Sequence, residues 1–129
     1  MATRYYSAIA QDTTVTGNIT NSQTSVVVSA VVGFPSSFPY ILALDYNASS
    51  EELVKVTAAA GTTLTIVRAF NGTTAVSHNT GAVVRHVITA QDMTDAQNHY
   101  DATSNVHGVT GQVASVDDVN NTAFMIMGA

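Results

Sequence analysis

Cysteine and tryptophan are both absent from the 129 residues. The first absence excludes disulfides, thiolate chemistry and cysteine-ligated zinc, and leaves the redox compartment open. Positive charge is almost as scarce. Lys55 is the only lysine, and Arg4, Arg68 and Arg85 are the only arginines. Against nine acids they leave a net charge of −5, with no basic footprint for a phosphate backbone, so no nucleic-acid partner is expected. Charged residues of both signs make up 10% of the chain, against roughly 25% in an average soluble domain. The surface must therefore be covered by Thr, Ser, Asn, Gln, Gly and Ala, which give up bound water more cheaply than ions do. Long apolar runs are missing too. Val26–Phe34 is broken by Ser29 and Gly33 and is too short to cross a bilayer, so no membrane partner is expected. Residues 1–6 contain no apolar h-region, so no secretion signal is expected.

What remains is a β-rich pattern. Apolar residues are 46% of the chain, enough for one packed core at this length. Strands are expected at Thr24–Val31, Tyr40–Tyr46, Leu53–Ala58, Thr63–Arg68 and Ala82–Ile88, with a further short one at Thr13–Thr16. Leu53–Ala58 and Thr63–Arg68, joined through Ala60-Gly61-Thr62, form the strongest hairpin signal. Arg68 is placed to pair with Glu51 or Glu52 across that hairpin. Gly33-Phe34-Pro35 and Phe38-Pro39 stop the first long strand, and Asn71-Gly72 marks a tight turn.

The period then changes from two to 3.6. Thr89 reads as a helix N-cap with Asp92 in the first turn, and Ala90, Met93, Ala96, Gln97 and Tyr100 share one helical face. The expected fold is all-β, a small sandwich or barrel-like domain of six to eight strands by this count. It carries one short helix at about 90–100, with extended N- and C-terminal arms. The organisation is an N-terminal arm over 1–22, a β-domain over 23–88, a helix and loop over 89–111, and an apolar segment over 112–129. That last segment ends in Phe124-Met125-Ile126-Met127, which calls for docking on its own domain or on a neighbouring subunit.

Chemistry-bearing patterns are few. His78, His86, His99 and His107 show no close metal-ligand spacing, and hydrogen-bonded surface or packing roles are expected for them. Asp45–Glu52 alternates oxygen donors as a calcium loop does, but Ser50 and Val56 stand where such a loop needs glycine and an acid. A solvated acidic turn is the expectation there. The adjacent pairs Glu51-Glu52 and Asp117-Asp118 point to opposite faces of an extended chain and make poor catalytic dyads. No phosphate-binding glycine loop or nucleophile elbow is present. The expectation is a non-enzyme with no cofactor, no metal and no catalytic residue.

A run of short segments in fixed order carries a family likeness. It comprises the Val-rich stretch, Gly33-Phe34-Pro35, residues 38–45, residues 51–57, residues 61–68, residues 71–78, Gly81-Ala82-Val83-Val84 and residues 106–111. In this order the chain resembles a β-rich virion structural module of tailed phages of actinobacteria, found in head-decoration, head-fibre, minor tail and fibre proteins. The likeness covers about two-thirds of the chain and implies a bacteriophage structural accessory protein, made in the bacterial host cytoplasm and located in the virion. Fibre proteins of this kind continue into long repeats or receptor-binding domains. Here only the apolar 112–129 stretch follows residues 106–111, so a small capsid-decoration or head-fibre role is expected. The alternatives are a minor tail, baseplate or tail-fibre attachment component and, more remotely, a carbohydrate-binding β-module. Expected partners are other virion proteins (the major capsid protein or tail proteins) and further copies of the chain, with a trimer among the candidate states. The interface residues expected are Arg4, Tyr5 and Tyr6 in the N-terminal arm, and Phe124, Met125, Ile126 and Met127.

Overall fold

The computed structural model describes residues 3–102. The chain divides into two compact units, the first running through Asp92 and the second starting at Met93. Six strands form one antiparallel sheet in the first unit: β1 (Thr13–Thr14), β2 (Ser25–Val27), β3 (Tyr40–Leu44), β4 (Glu52–Ala60), β5 (Thr63–Val67) and β6 (Val83–His86). Their order is β1-β6-β3-β4-β5-β2. The sheet curls into a half-barrel, and its two outer strands meet. Val15 bridges Val28, with the Thr16 amide donating to the Val27 carbonyl at 2.9 Å and the Ser29 amide to the Thr14 carbonyl at 2.9 Å. Of the two architectures open from sequence, the barrel-like one is what forms. Curling lets a single sheet enclose a core and leaves little free edge to pair with strangers.

Period-two alternation decides which side chains go inside. In β4, Glu52, Val54 and Val56 are buried while Leu53 and Lys55 are half-buried; in β5, Leu64 and Ile66 point in between exposed threonines and Val67. The core collects Val15, Ile19, Val26, Val28, Tyr40, Leu42, Leu44, Val54, Val56, Leu64, Ile66, Ala82 and Val84, with Val31 and Phe34 packed at its margin. The β4–β5 hairpin turns through two residues, Gly61 and Thr62. Only the first has positive φ, +60°, as a turn matched to right-handed strand twist requires. A register shift after Val56 carries the distal half of β4 outward, and Thr57–Ala60 are all exposed.

Two elements depart from the expected boundaries. The predicted Thr24–Val31 strand is regular only over Ser25–Val27. Val28 keeps its amide on the Thr62 carbonyl at 3.0 Å and also bridges Val15, which is the step that draws the sheet's edges together. Residues 13–19, placed in an arm with room for a short strand at Thr13–Thr16, form that strand in part as β1 and also join the sheet through the Ile19–His78 bridge. The helix forms as expected: α1 spans Ala90–Asp101. At its start Asp92 reaches back to accept from the Thr89 amide at 2.7 Å and the Thr89 hydroxyl at 3.0 Å. No residue of α1 is buried.

Strand β3 breaks the alternation in an informative way. All five of its residues are buried. Tyr40, Leu42 and Leu44 face the core, while Ile41 and Ala43 face the other way, outside the core cluster. Burial on both faces of one strand means that something covers the outer face as well. For the described residues, that cover is the N-terminal arm together with Val87–Ala90.

Candidate functional site

Two constellations of polar side chains stand out in the first unit, one inside the barrel wall and one on its outside. The inner one centres on Glu52, whose carboxylate is fully buried at the start of β4. Arg68, just past the end of β5, meets it with both arms of its guanidinium fork, Nε at 2.7 Å and Nη2 at 2.8 Å. The Ala69 and Val76 amides donate to the same carboxylate at 3.0 and 3.1 Å. His78 lies beside it, buried, with Nε2 3.1 Å from Glu52 and Nδ1 2.7 Å from Asp45. The remaining guanidinium protons of Arg68 go to the carbonyls of Thr20, Gln23 and Val76. Burial alone would raise the Glu52 carboxyl. Arg68, the two amides and His78 outweigh it and hold the group at about 2, from an ordinary 4.5.

This arrangement is a fastening. It ties the β3–β4 turn, β4, the end of β5 and the loops at 20–23 and 76–78 to a common point. With the Glu52 and His78 side chains sealed from solvent, no substrate can reach them. Every buried side-chain polar atom among the described residues has a hydrogen-bond partner, as a packed structural cluster requires. Among the described residues no group of histidines and carboxylates is arranged to hold a metal ion.

The outer constellation holds the arm. The Tyr5 amide donates to the Pro39 carbonyl at 2.9 Å and the Gln11 amide to the Val32 carbonyl at 3.0 Å. Arg4 pairs with Asp92, and the Tyr6 hydroxyl donates to the same carboxylate at 2.6 Å. Burial would raise Asp92; the Tyr6 hydroxyl, the Thr89 amide and hydroxyl, and Arg4 hold it at about 2 instead. Between these anchors the Ser7 amide donates to His86 Nε2 at 3.2 Å. His86 sits at the end of β6 in an aromatic group, edge-on to Tyr40 and tilted against Tyr6, with Phe34 and Phe38 also against Tyr40. Farther along, Asp12 and Arg85 form an exposed two-point ion pair at 2.9 and 2.5 Å, and the Arg85 guanidinium lies 4.1 Å over the Tyr46 ring.

Between arm and sheet runs an open groove of about 710 Å³. Ala43 and Leu53 line it from the sheet, and Tyr6, Tyr46 and Ile88 from its sides. Large apolar side chains stay exposed around the unit, with Ile9 at 75%, Ile88 at 70% and Val32 at 53%. Of the four cationic side chains in the sequence, the three arginines each engage a carboxylate and Lys55 lies 6.0 Å from the Phe70 ring centre.

The expected interface residues can be placed in part. Arg4 is engaged with Asp92 of its own chain, whereas Tyr5 and Tyr6 are 40% and 51% exposed. Phe124, Met125, Ile126 and Met127 lie outside the described residues, as does His107. Of the other histidines, His78 and His86 are packed and hydrogen-bonded, and His99 is exposed on α1. The Arg68 pairing resolves to Glu52; Glu51 instead accepts from the Asn47 amide at 2.6 Å.

The acidic turn expected at 45–52 is solvated only in part. Glu51 faces water and Glu52 is interior, as adjacent strand residues must be. The alternation of buried Val54 and Val56 behind Glu52 was the available signal for this. The roles of Asp45 and of Asp92 as an arm anchor had no local signal, because their partners lie 33 and 86 to 88 residues away in sequence.

Comparison with protein-family models and with curated proteins finds no match to this chain. No helix among the described residues is long and apolar enough to cross a membrane.

Proposed function

We propose that this chain is a structural accessory protein of a bacteriophage virion, of capsid-decoration or head-fibre type, that stabilises the particle through subunit contacts. One observation supports the reading above others: the ionic side chains of the barrel are largely turned on one another. Arg4 with Asp92, Glu52 with Arg68, and Asp12 with Arg85 leave a face of hydroxyls, amides and exposed aliphatic side chains. Such a face is covered by a partner at low desolvation cost. A copy bound only to the assembled shell would stabilise that shell by linkage, each copy adding its own binding free energy. The partners in this reading are the major capsid protein or another virion protein, together with further copies of the chain as a symmetric oligomer.

The test is mass spectrometry of purified particles with copy counting. A copy number in proportion to the coat subunits supports the head assignment. A handful per particle would move the chain to the tail, and absence from particles would end the reading. Deleting residues 120–129 and measuring particle occupancy separately tests the C-terminal segment; occupancy equal to the full chain's would remove that segment from the contact.

A further inference from the structure

The hydrogen bonds of His86 fix its protonation by elementary valence. Ser7 N–H can only donate, so Nε2 must accept and carries no proton. The Ile41 carbonyl, 2.9 Å from Nδ1, can only accept, so Nδ1 carries the one proton of a neutral ring. A second proton on the ring would set Nε2–H against Ser7 N–H, two donors with no acceptor between them. Of the groups around the ring, Tyr6 from the arm and Tyr40 from β3 meet it as neutral phenol rings, and Glu51, which lines the same groove, accepts from the Asn47 amide. The Asp92 carboxylate accepts from Tyr6 and is shared with Arg4 and Thr89. Arg85, the preceding residue on β6, is paired with Asp12.

We propose that the N-terminal arm is a pH-sensitive strap, clipped to the barrel at Ser7 by neutral His86 and unclipped there by acidification. A second proton on Nε2 removes the acceptor that the Ser7 amide uses. The outer anchor keeps its charge through mild acid, since Asp92 is held at about 2. In mild acid the strap therefore stays tethered through Arg4, Tyr6 and Asp92 while its middle lifts from the groove that Ser7 and Ala8 line. Uncovering that groove exposes apolar surface of Ala43, Leu53 and Val87. The device stands on its own, whatever partner the barrel has.

The test is residue-resolved amide hydrogen exchange of the full chain between about pH 8 and about pH 5, corrected for the intrinsic pH dependence of exchange. The Ser7 amide should lose roughly tenfold in protection on acidification, the equivalent of one ordinary hydrogen bond. The Tyr5 amide, bonded to Pro39, should change little. His86→Gln keeps an acceptor and cannot titrate, so its Ser7 protection should not vary with pH. Ser7→Pro, which has no N–H to give, should leave the neighbouring arm amides as open at high pH as the unaltered chain's are in acid, and requires no change in the barrel. Ser7 protection that is flat with pH in the unaltered chain, or that falls equally in His86→Gln, would overturn the proposal.

Discussion

The buried cluster around Glu52 and the strap around His86 do the same mechanical job by opposite means. Each pins a long connection onto the half-barrel. The Glu52 cluster does it with ions sealed from water, every proton and lone pair accounted for, in a place where any missing partner leaves an uncompensated buried charge. The strap does it mostly with backbone amides and part-exposed side chains, whose bonds water can replace at modest cost, with the Arg4–Asp92 pair as its one buried ionic anchor. The first is a permanent fastening and the second a separable one. In both, ionic groups are paired within the molecule rather than offered to a partner.

Breaking the cluster should have the largest effect. Glu52→Gln removes the charge that Arg68 and His78 are built around, and should cost about 3–5 kcal/mol of stability, read as a fall in the denaturant midpoint at constant slope. Acid should act through the same group. A carboxyl held at about 2 in the fold against an ordinary 4.5 adds stability that is fully present above about 4.5. That stability is lost as pH falls toward 2, about 3 kcal/mol in all. Asp92, also at about 2, loses its contribution in the same window. Stability measured against pH should thus decline between these limits in the unaltered chain and more shallowly in Glu52→Gln.

The strap should yield smaller numbers. The Ile9 carbonyl lies 2.1 Å from where a Cβ on Gly33 would stand, and Gly33 has φ +75°. Gly33→Ala should lift the arm near Ile9 and cost about 1–3 kcal/mol, overpacking and backbone strain together. Limited proteolysis should then cut within residues 3–12 while the barrel survives. If Gly33→Ala instead unfolds the barrel cooperatively, the two regions are not separable. Smallest of all is Asp12→Asn. The Asp12–Arg85 pair is open to water, so its loss should be unresolvable in the denaturant midpoint and any trace of it should vanish in high salt.

The sequence made the sheet legible because alternation and turn chemistry are local. Val54 and Val56 against Lys55, Leu64 and Ile66 between threonines, and Gly61 at a two-residue turn all announce themselves within a few positions. The helix start at Thr89 and Asp92 did so as well. Closure of the half-barrel was not legible, since it depends on Val15 meeting Val28, and a bridge between two valines leaves no mark in either strand. The strap was read as an arm for partners because Arg4, Tyr5 and Tyr6 have no local reason to turn inward. Their reasons are Asp92, Pro39 and His86, supplied by the fold from far along the chain.

Charge paired within the chain is the claim on which the functional reading rests, and the salt dependence of particle association tests it most directly. Copies of this chain per purified particle should be the same after washing in low salt and in molar salt, because a face poor in unpaired ions releases few counterions when it is covered. Occupancy that falls steeply with salt would mean that charged side chains make the contact, and would contradict the account.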